Sequence, residues 1–168
     1  MKKILLFRHS KSLPTEQGKT DKDRVLARDG IRDAETMGEY FKLNSLIPQH
    51  VVCSSAFRAK QTLQVCLEKM SLAVETDFDE RIYHDGVDGI LDIVRELDNR
   101  LHLVMIVGHS PDMESVTEYF FGRAFPFGKF STSGVALLEF NVDQWKDVRE
   151  NTGELMLFKT PGMINRKE

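Results

Sequence analysis

Ile4-Leu5-Leu6-Phe7 is an unbroken apolar run closed by the charged pair Arg8-His9. Without polar alternation, so short a run predicts a strand buried on both faces. Ser10 to Arg28 follows as a polar stretch and predicts a long loop, the kind of segment that often carries function in a compact domain. From about Gly30 to Leu43, the residues Ile31, Ala34, Met37, Gly38 and Phe41 recur at helical spacing. Val51-Val52-Cys53 predicts a second strand, and Ser54-Ser55 after it are good helix N-caps. The helix they open carries Ala59, Thr62, Leu63, Cys66, Leu67 and Met70 on one face.

Further along, Leu72-Ala73-Val74 predicts a short strand, and a third helix is expected from about Asp88 to Asn99 with Ile90, Leu91, Val94 and Leu97 inward. Leu103 to Val107 is the clearest strand of the chain and stops at Gly108-His109. Ser110-Pro111 then starts a helix with Met113, Val116, Tyr119 and Phe120 on its inner face, proline being well suited to a first turn. Val135 to Phe140 and Leu155 to Lys159 predict two more strands, with Trp145 in a short helical turn between them. Strands alternating with helices mean an α/β domain with a mostly parallel sheet. Ligands of such sheets bind outside the carboxyl ends of the strands. Arg8-His9, Ser54 to Arg58 and Gly108-His109 all fall at such ends.

The 168 residues suit one domain spanning 1–168, and no repeat or low-complexity linker divides them. With 41% hydrophobic and 29% charged residues, the composition is that of an ordinary globular protein. No apolar run reaches the length of a membrane span, and Met1 to Phe7 is too short for a signal sequence. A cytoplasmic location is therefore expected, with no membrane partner. The net charge of −3 gives no electrostatic reason to expect nucleic acid. A phosphorylated ligand would have to rely on local cations. Cys53 and Cys66 match no zinc spacing and read as small core residues in a reducing compartment.

Two histidines and two arginines at one sheet edge suit phosphoryl transfer. Neutral imidazole is a competent nucleophile toward phosphorus. It is plentiful near neutrality because its free pKa is about 6.5, and neighbouring guanidinium groups disfavour its protonated form further. Arginine forks match the spread charge on phosphoryl oxygens, a second histidine can donate to another oxygen, and a helix start after Ser54-Ser55 adds backbone donors. Arg8, His9, Arg58 and His109 are thus the candidate phosphoryl-transfer residues.

The same residues carry a family resemblance. Arg8-His9-Ser10-Lys11-Ser12 resembles the Arg-His signature of the histidine phosphatase (phosphoglycerate mutase-like) superfamily. Its Arg-His-x-Lys-Ser form is most similar to the small SixA-like phosphohistidine phosphatase branch. Asp21-x-x-Arg24-x-Leu26-x-x-x-Gly30-x-x-x-Ala34 resembles the segment that follows in that branch. Ser54-Ser55-Ala56-Phe57-Arg58-Ala59-Lys60-Gln61-Thr62 resembles the second-arginine motif, and Val107-Gly108-His109-Ser110-Pro111-x-x-Glu114 the second-histidine motif. The resemblance implies a three-layer domain with a mostly parallel sheet flanked by helices. It also implies a transiently phosphorylated His9 as the nucleophile, with Arg8, Arg58 and His109 holding the phosphoryl group. Ser10 stands where glycine or alanine is common, so its hydroxyl either contacts phosphate or points to solvent. Val25 and Ala27 replace the usual proline and hydroxyl residue, which leaves Asp29 as the expected cap of the next helix.

Hydrolysis of an oxygen ester needs a general acid. Glu80 stands three residues before Tyr83, as the acid does in the mutase branch; Asp79-Glu80-Arg81 can equally be a charged loop. The leading expectation is a phosphohydrolase acting on a phosphohistidine-bearing protein. A small-molecule phosphomonoesterase or mutase with Glu80 as acid is the alternative within enzymes. A phosphate-binding regulatory module with little turnover is the alternative outside them, though a mere binder needs no nucleophile. No metal or other cofactor is implied, because no carboxylate-histidine cluster has ligand spacing. Lys11 is expected to screen charge at the pocket mouth. His50, His84 and His102 read as surface residues, and the phenylalanines between Phe120 and Phe130 as core.

Overall fold

The computed structural model describes residues 1–165. In β1 (Lys2–Arg8), Ile4 and Leu6 enter one hydrophobic cluster and Leu5 and Phe7 another. β4 (Leu103–Gly108) divides Val104 and Ile106 from Met105 and Val107 in the same way. All of these side chains are fully buried, which is why neither run shows polar alternation. Each contributes roughly 1.5–3 kcal/mol of burial.

β2 (His50–Ser54), β3 (Thr76–Asp79), β5 (Val135–Phe140) and β6 (Gly153–Lys159) complete a sheet of order β3-β2-β4-β1-β5-β6. The first four in that order are parallel; β5 runs against both β1 and β6. α1 (Arg28–Leu43) and α2 (Phe57–Met70) cover the face bearing Leu5 and Phe7. α3 is the short turn Arg81–His84. α4 (Gly86–Glu96) and α5 (Asp112–Phe121) cover the opposite face, and α6 (Pro161–Asn165) ends the described chain. This is the three-layer, mostly parallel α/β architecture that the sequence predicts. α1 and α2 approach closely at Gly38, where a Cβ would lie 2.6 Å from the Cys66 carbonyl oxygen.

Several expectations are corrected. The third parallel strand is Thr76–Asp79, not Leu72 to Val74. It is an edge strand with one partner, so its residues need not be apolar, while Leu72 and Val74 are partly buried against the core. α4 ends at Glu96 rather than Asn99, and the Asn99 side chain instead accepts the Trp145 amide at 2.8 Å. α2 starts at Phe57, so Ser54-Ser55 do not cap it; Ala56 occupies that position without a side-chain bond. Ala27 likewise occupies the N-cap of α1 without a side-chain bond, and Asp29 lies in the first turn, paired with Arg32. His50 is buried at the start of β2 with Nε2 3.0 Å from Asp77, whereas His84 and His102 are exposed as expected. Phe120, Phe125 and Phe130 are core residues, but Phe127 is exposed with its ring stacked on Phe158.

Cys53 and Cys66 are buried free thiols whose pKa burial raises, that of Cys66 to about 12. Among the described residues no helix is long and apolar enough to cross a membrane. None of their His, Cys, Asp and Glu side chains cluster in threes as metal ligands would.

Candidate active site

Strand register assembles the site. Arg8 pairs with Gly108 across β1 and β4, so the next residues, His9 and His109, emerge side by side with ring centroids 5.1 Å apart. Cys53 pairs with Val107, which brings Ser54 to the same level. The first turn of α2 then delivers Arg58 to His9. The four residues singled out from the sequence line one open pocket of about 330 Å³, together with Lys11, Ser12, Arg24, Ser110 and Thr132. Lys11 therefore sits where the sequence places it.

His9 is buried, and its Nδ1 lies 2.7 Å from the Ser10 carbonyl oxygen. A carbonyl only accepts, so Nδ1 carries the ring hydrogen and Nε2 keeps its lone pair. The Arg58 Nε–H points at that nitrogen from 3.4 Å. Burial pushes the His9 pKa down to about 3, against the pull of the Ser10 carbonyl; His109, Arg58 and Arg8 lower it further. Burial, then Arg58, bring His109 to about 4 despite Asp21, and Arg8 adds to the shift. Both rings are neutral at pH 7.

His109 Nε2 is bound to the Ser54 hydroxyl, while its Nδ1 is buried with no hydrogen-bond partner among the described residues. Arg8 Nε is orphaned in the same way. Buried polar atoms without partners are costly, and two N–H groups beside a nucleophile form a site suited to an oxyanion. Arg8 is steadied by donating Nη1 to the Phe130 carbonyl at 2.7 Å, and Glu114 accepts the Phe130 amide at 2.9 Å. Desolvation lowers the Arg8 pKa, with Glu114 opposing it.

Arg58 is almost fully enclosed. Its Nη1 donates to the Asp21 carbonyl at 2.9 Å and its Nη2 to the Asp21 carboxylate at 3.2 Å. That carboxylate also accepts the Tyr83 hydroxyl at 2.7 Å. Asp21 lies in a 3-10 turn, Asp21–Asp23, within the long loop. The sequence alone gives Ser54, Asp21, Tyr83, Arg24 and Glu114 no role at this pocket. Asp21, Arg24, Ser54 and Glu114 do lie within the family-like motifs, which is the signal the sequence offers for them.

Two sequence candidates stand elsewhere. The Ser10 hydroxyl faces neither phosphate nor solvent; it is fully buried and bonds the Ser133 hydroxyl at 2.5 Å, while the Ser10 amide donates to Thr62 Oγ1. Glu80 does not line the pocket. It is exposed and bound by Lys22 at 2.7 Å, with His84 3.3 Å away. Lys22 above all lowers its pKa. A larger cleft of about 640 Å³ lies at the amino ends of β2 and β3, but Glu75, Asp77, Glu96 and Asp98 line it and would repel phosphate.

Residues 4–85 match the sequence profile of the histidine phosphatase superfamily, branch 1. An uncharacterized protein of Mycobacterium tuberculosis is 29% identical over 163 residues, 92% of this chain and 99% of that protein. Another, from Mycobacterium leprae, is 27% identical over 148 residues, 84% of this chain and 89% of that one. A solved structure from Agrobacterium tumefaciens, assigned as the phosphohistidine phosphatase SixA, superposes with a TM-score of 0.82 at 25% identity, covering 95% of this chain and 98% of that chain. The corresponding structure from Nakamurella multipartitia gives 0.80 at 26% identity, covering 95% and 96%. The fold, the motif order and these likenesses agree in pointing to the histidine phosphatase superfamily and, within it, to the SixA-like branch.

Proposed function

We propose that the protein is a phosphohistidine phosphatase working through a phosphorylated His9. The observation that carries this reading is the unprotonated Nε2 of His9, turned toward Arg58 by the Ser10 carbonyl and flanked by His109. In the first step the Nε2 lone pair attacks phosphorus, and the bond from phosphorus to the substrate nitrogen breaks. The electron pair leaves with the substrate imidazole, which departs neutral because its ring is already protonated. Arg8, Arg58 and His109 hold the phosphoryl oxygens as their charge redistributes. Water then attacks phosphorus, the P–N bond to His9 breaks, and inorganic phosphate leaves.

A leaving imidazole needs no dedicated acid, which suits a pocket whose wall lacks Glu80. The alternative of ester chemistry with Glu80 as acid is disfavoured by its exposed pairing with Lys22. The openness of the pocket favours a side chain protruding from a protein over a small molecule. Cationic and N–H donors already supply the charge stabilisation, so the reading is metal-independent, within one domain spanning 1–168. The buried free thiols suit a reducing, cytoplasmic setting.

The test is a rapid-quench assay with a phosphohistidine peptide and a phosphomonoester, with and without EDTA. Transient phosphate on His9, preferential turnover of the peptide and insensitivity to EDTA are expected. Undiminished turnover by His9→Ala would reject the nucleophile; preference for the ester would reject the substrate class.

A further inference from the structure

We infer that Asp21 is the positioning residue for Arg58, holding its guanidinium so that the Nε–H faces His9 Nε2 and the phosphoryl group received there. The inference rests on the proposed phosphoryl transfer at His9 and goes beyond it, because Asp21 is not itself part of the pocket wall.

Both terminal nitrogens of Arg58 are engaged by this single loop residue, one by its backbone carbonyl and one by its carboxylate. Only Nε then faces the nucleophile. Asp21 is itself anchored. Tyr83 donates to Oδ2 at 2.7 Å and Arg24 to Oδ1 at 3.2 Å. Thr20 and Asp23 lock the surrounding turn, since the Asp23 carboxylate accepts both the amide and the hydroxyl of Thr20 at 3.0 Å. The Tyr83 ring also lies edge-on to His109, with centroids 5.7 Å apart, and carries the Arg58 guanidinium 6.0 Å from its centroid. The turn, α3 and the start of α2 thus meet at one carboxylate. The Tyr83 hydroxyl foremost, aided by Arg24 and Arg58, holds the Asp21 carboxyl near pKa 2, so it stays ionised at working pH.

The benefit is preorganisation. A held guanidinium has already lost the rotamer freedom of a free arginine side chain before substrate arrives. Asp21 also offsets the cationic charge around His109.

The test is a double-mutant cycle of Asp21→Ala and Arg58→Ala, read by kcat and KM on phosphohistidine peptide and by the affinity of orthovanadate. In the wild-type background Asp21→Ala should lower kcat about tenfold or more and weaken orthovanadate about as much, with a smaller loss for Asp21→Asn, which keeps an acceptor. In the Arg58→Ala background the same change should cost less than about twofold, because it acts through Arg58. Equal losses in both backgrounds overturn the inference. If Asp21→Ala fails to fold, Tyr83→Phe, which removes one bond to Asp21, goes through the same cycle under the same criterion. The orthovanadate arm needs no turnover. It therefore decides the role of Asp21 even if phosphohistidine proves not to be the substrate.

Discussion

The Ser54 hydroxyl lies 2.7 Å from Nε2 of His109 and accepts the Ala56 amide at 3.2 Å. With one lone pair so occupied, the buried hydroxyl proton has His109 Nε2 as its acceptor. That assignment puts the ring hydrogen of His109 on Nδ1, the atom left without a partner. Ser54 thereby sets which nitrogen of His109 can donate to a phosphoryl oxygen. Ser54→Ala should lower kcat about tenfold or more by releasing the tautomer, with Ser54→Thr restoring most of it. Nitrogen-15 NMR of His109 checks this directly: Nδ1 should lose part of its protonated character in the alanine variant, and an unchanged spectrum contradicts the assignment.

Burial depresses both active-site histidines, to about 3 for His9 and about 4 for His109. In the unfolded chain each would titrate near 6.5. Below that pH the unfolded state binds more protons than the folded one, so stability is full above 6.5 and declines as pH falls toward 4 and 3. In the free protein both rings should remain neutral at pH 5.5 by NMR. The thermal midpoint should drop between pH 7 and pH 5, and His9→Gln should make that drop shallower. A ring titrating near 6.5 would show that the pocket is wetter than this geometry.

Glu80→Gln should leave phosphohistidine hydrolysis within about twofold of wild type, because an exposed ion pair with Lys22 contributes little. Its rate on a phosphomonoester should be equally insensitive at neutral pH. A severe loss on the ester alone would restore Glu80 as a general acid.

A Cβ at Gly30 would lie 2.1 Å from the Lys11 carbonyl oxygen. That oxygen cannot easily retreat, since it accepts the Ala27 amide at 2.9 Å and the neighbouring Ser12 bridges to Leu26. Gly30→Ala should therefore cost about 2 kcal/mol by overpacking, where most helical sites would gain from the same change. Urea unfolding measures it, and a neutral result would mean that the loop yields freely.

Much of this molecule is legible in the chain itself. The apolar runs at Ile4 to Phe7 and Leu103 to Val107 predict central strands, because a strand packed on both faces must be apolar at every position. The helical spacing of Ala34, Met37 and Phe41 marks their buried face for the same kind of reason. Arg8-His9 and Gly108-His109 are visible because each directly follows such a run. Burial and periodicity are local properties, and local composition records them.

What composition could not record is who meets whom. Ser54 reads as a helix cap, yet it serves a histidine 55 positions away, and β2–β4 register alone puts them together. Asp21 reads as loop charge until the fold sets it against Arg58 and Tyr83. Ser10 reads as a residue facing phosphate or water until Ser133 covers it. Glu80 has the right spacing for an acid, but it lies exposed and paired with Lys22 of the loop, off the pocket wall. The strand Thr76–Asp79 escapes periodicity because an edge position asks little hydrophobicity of it. Strands and faces follow from which residues avoid water, whereas hydrogen-bond partners distant in sequence follow from register and loop placement, which only the folded chain decides.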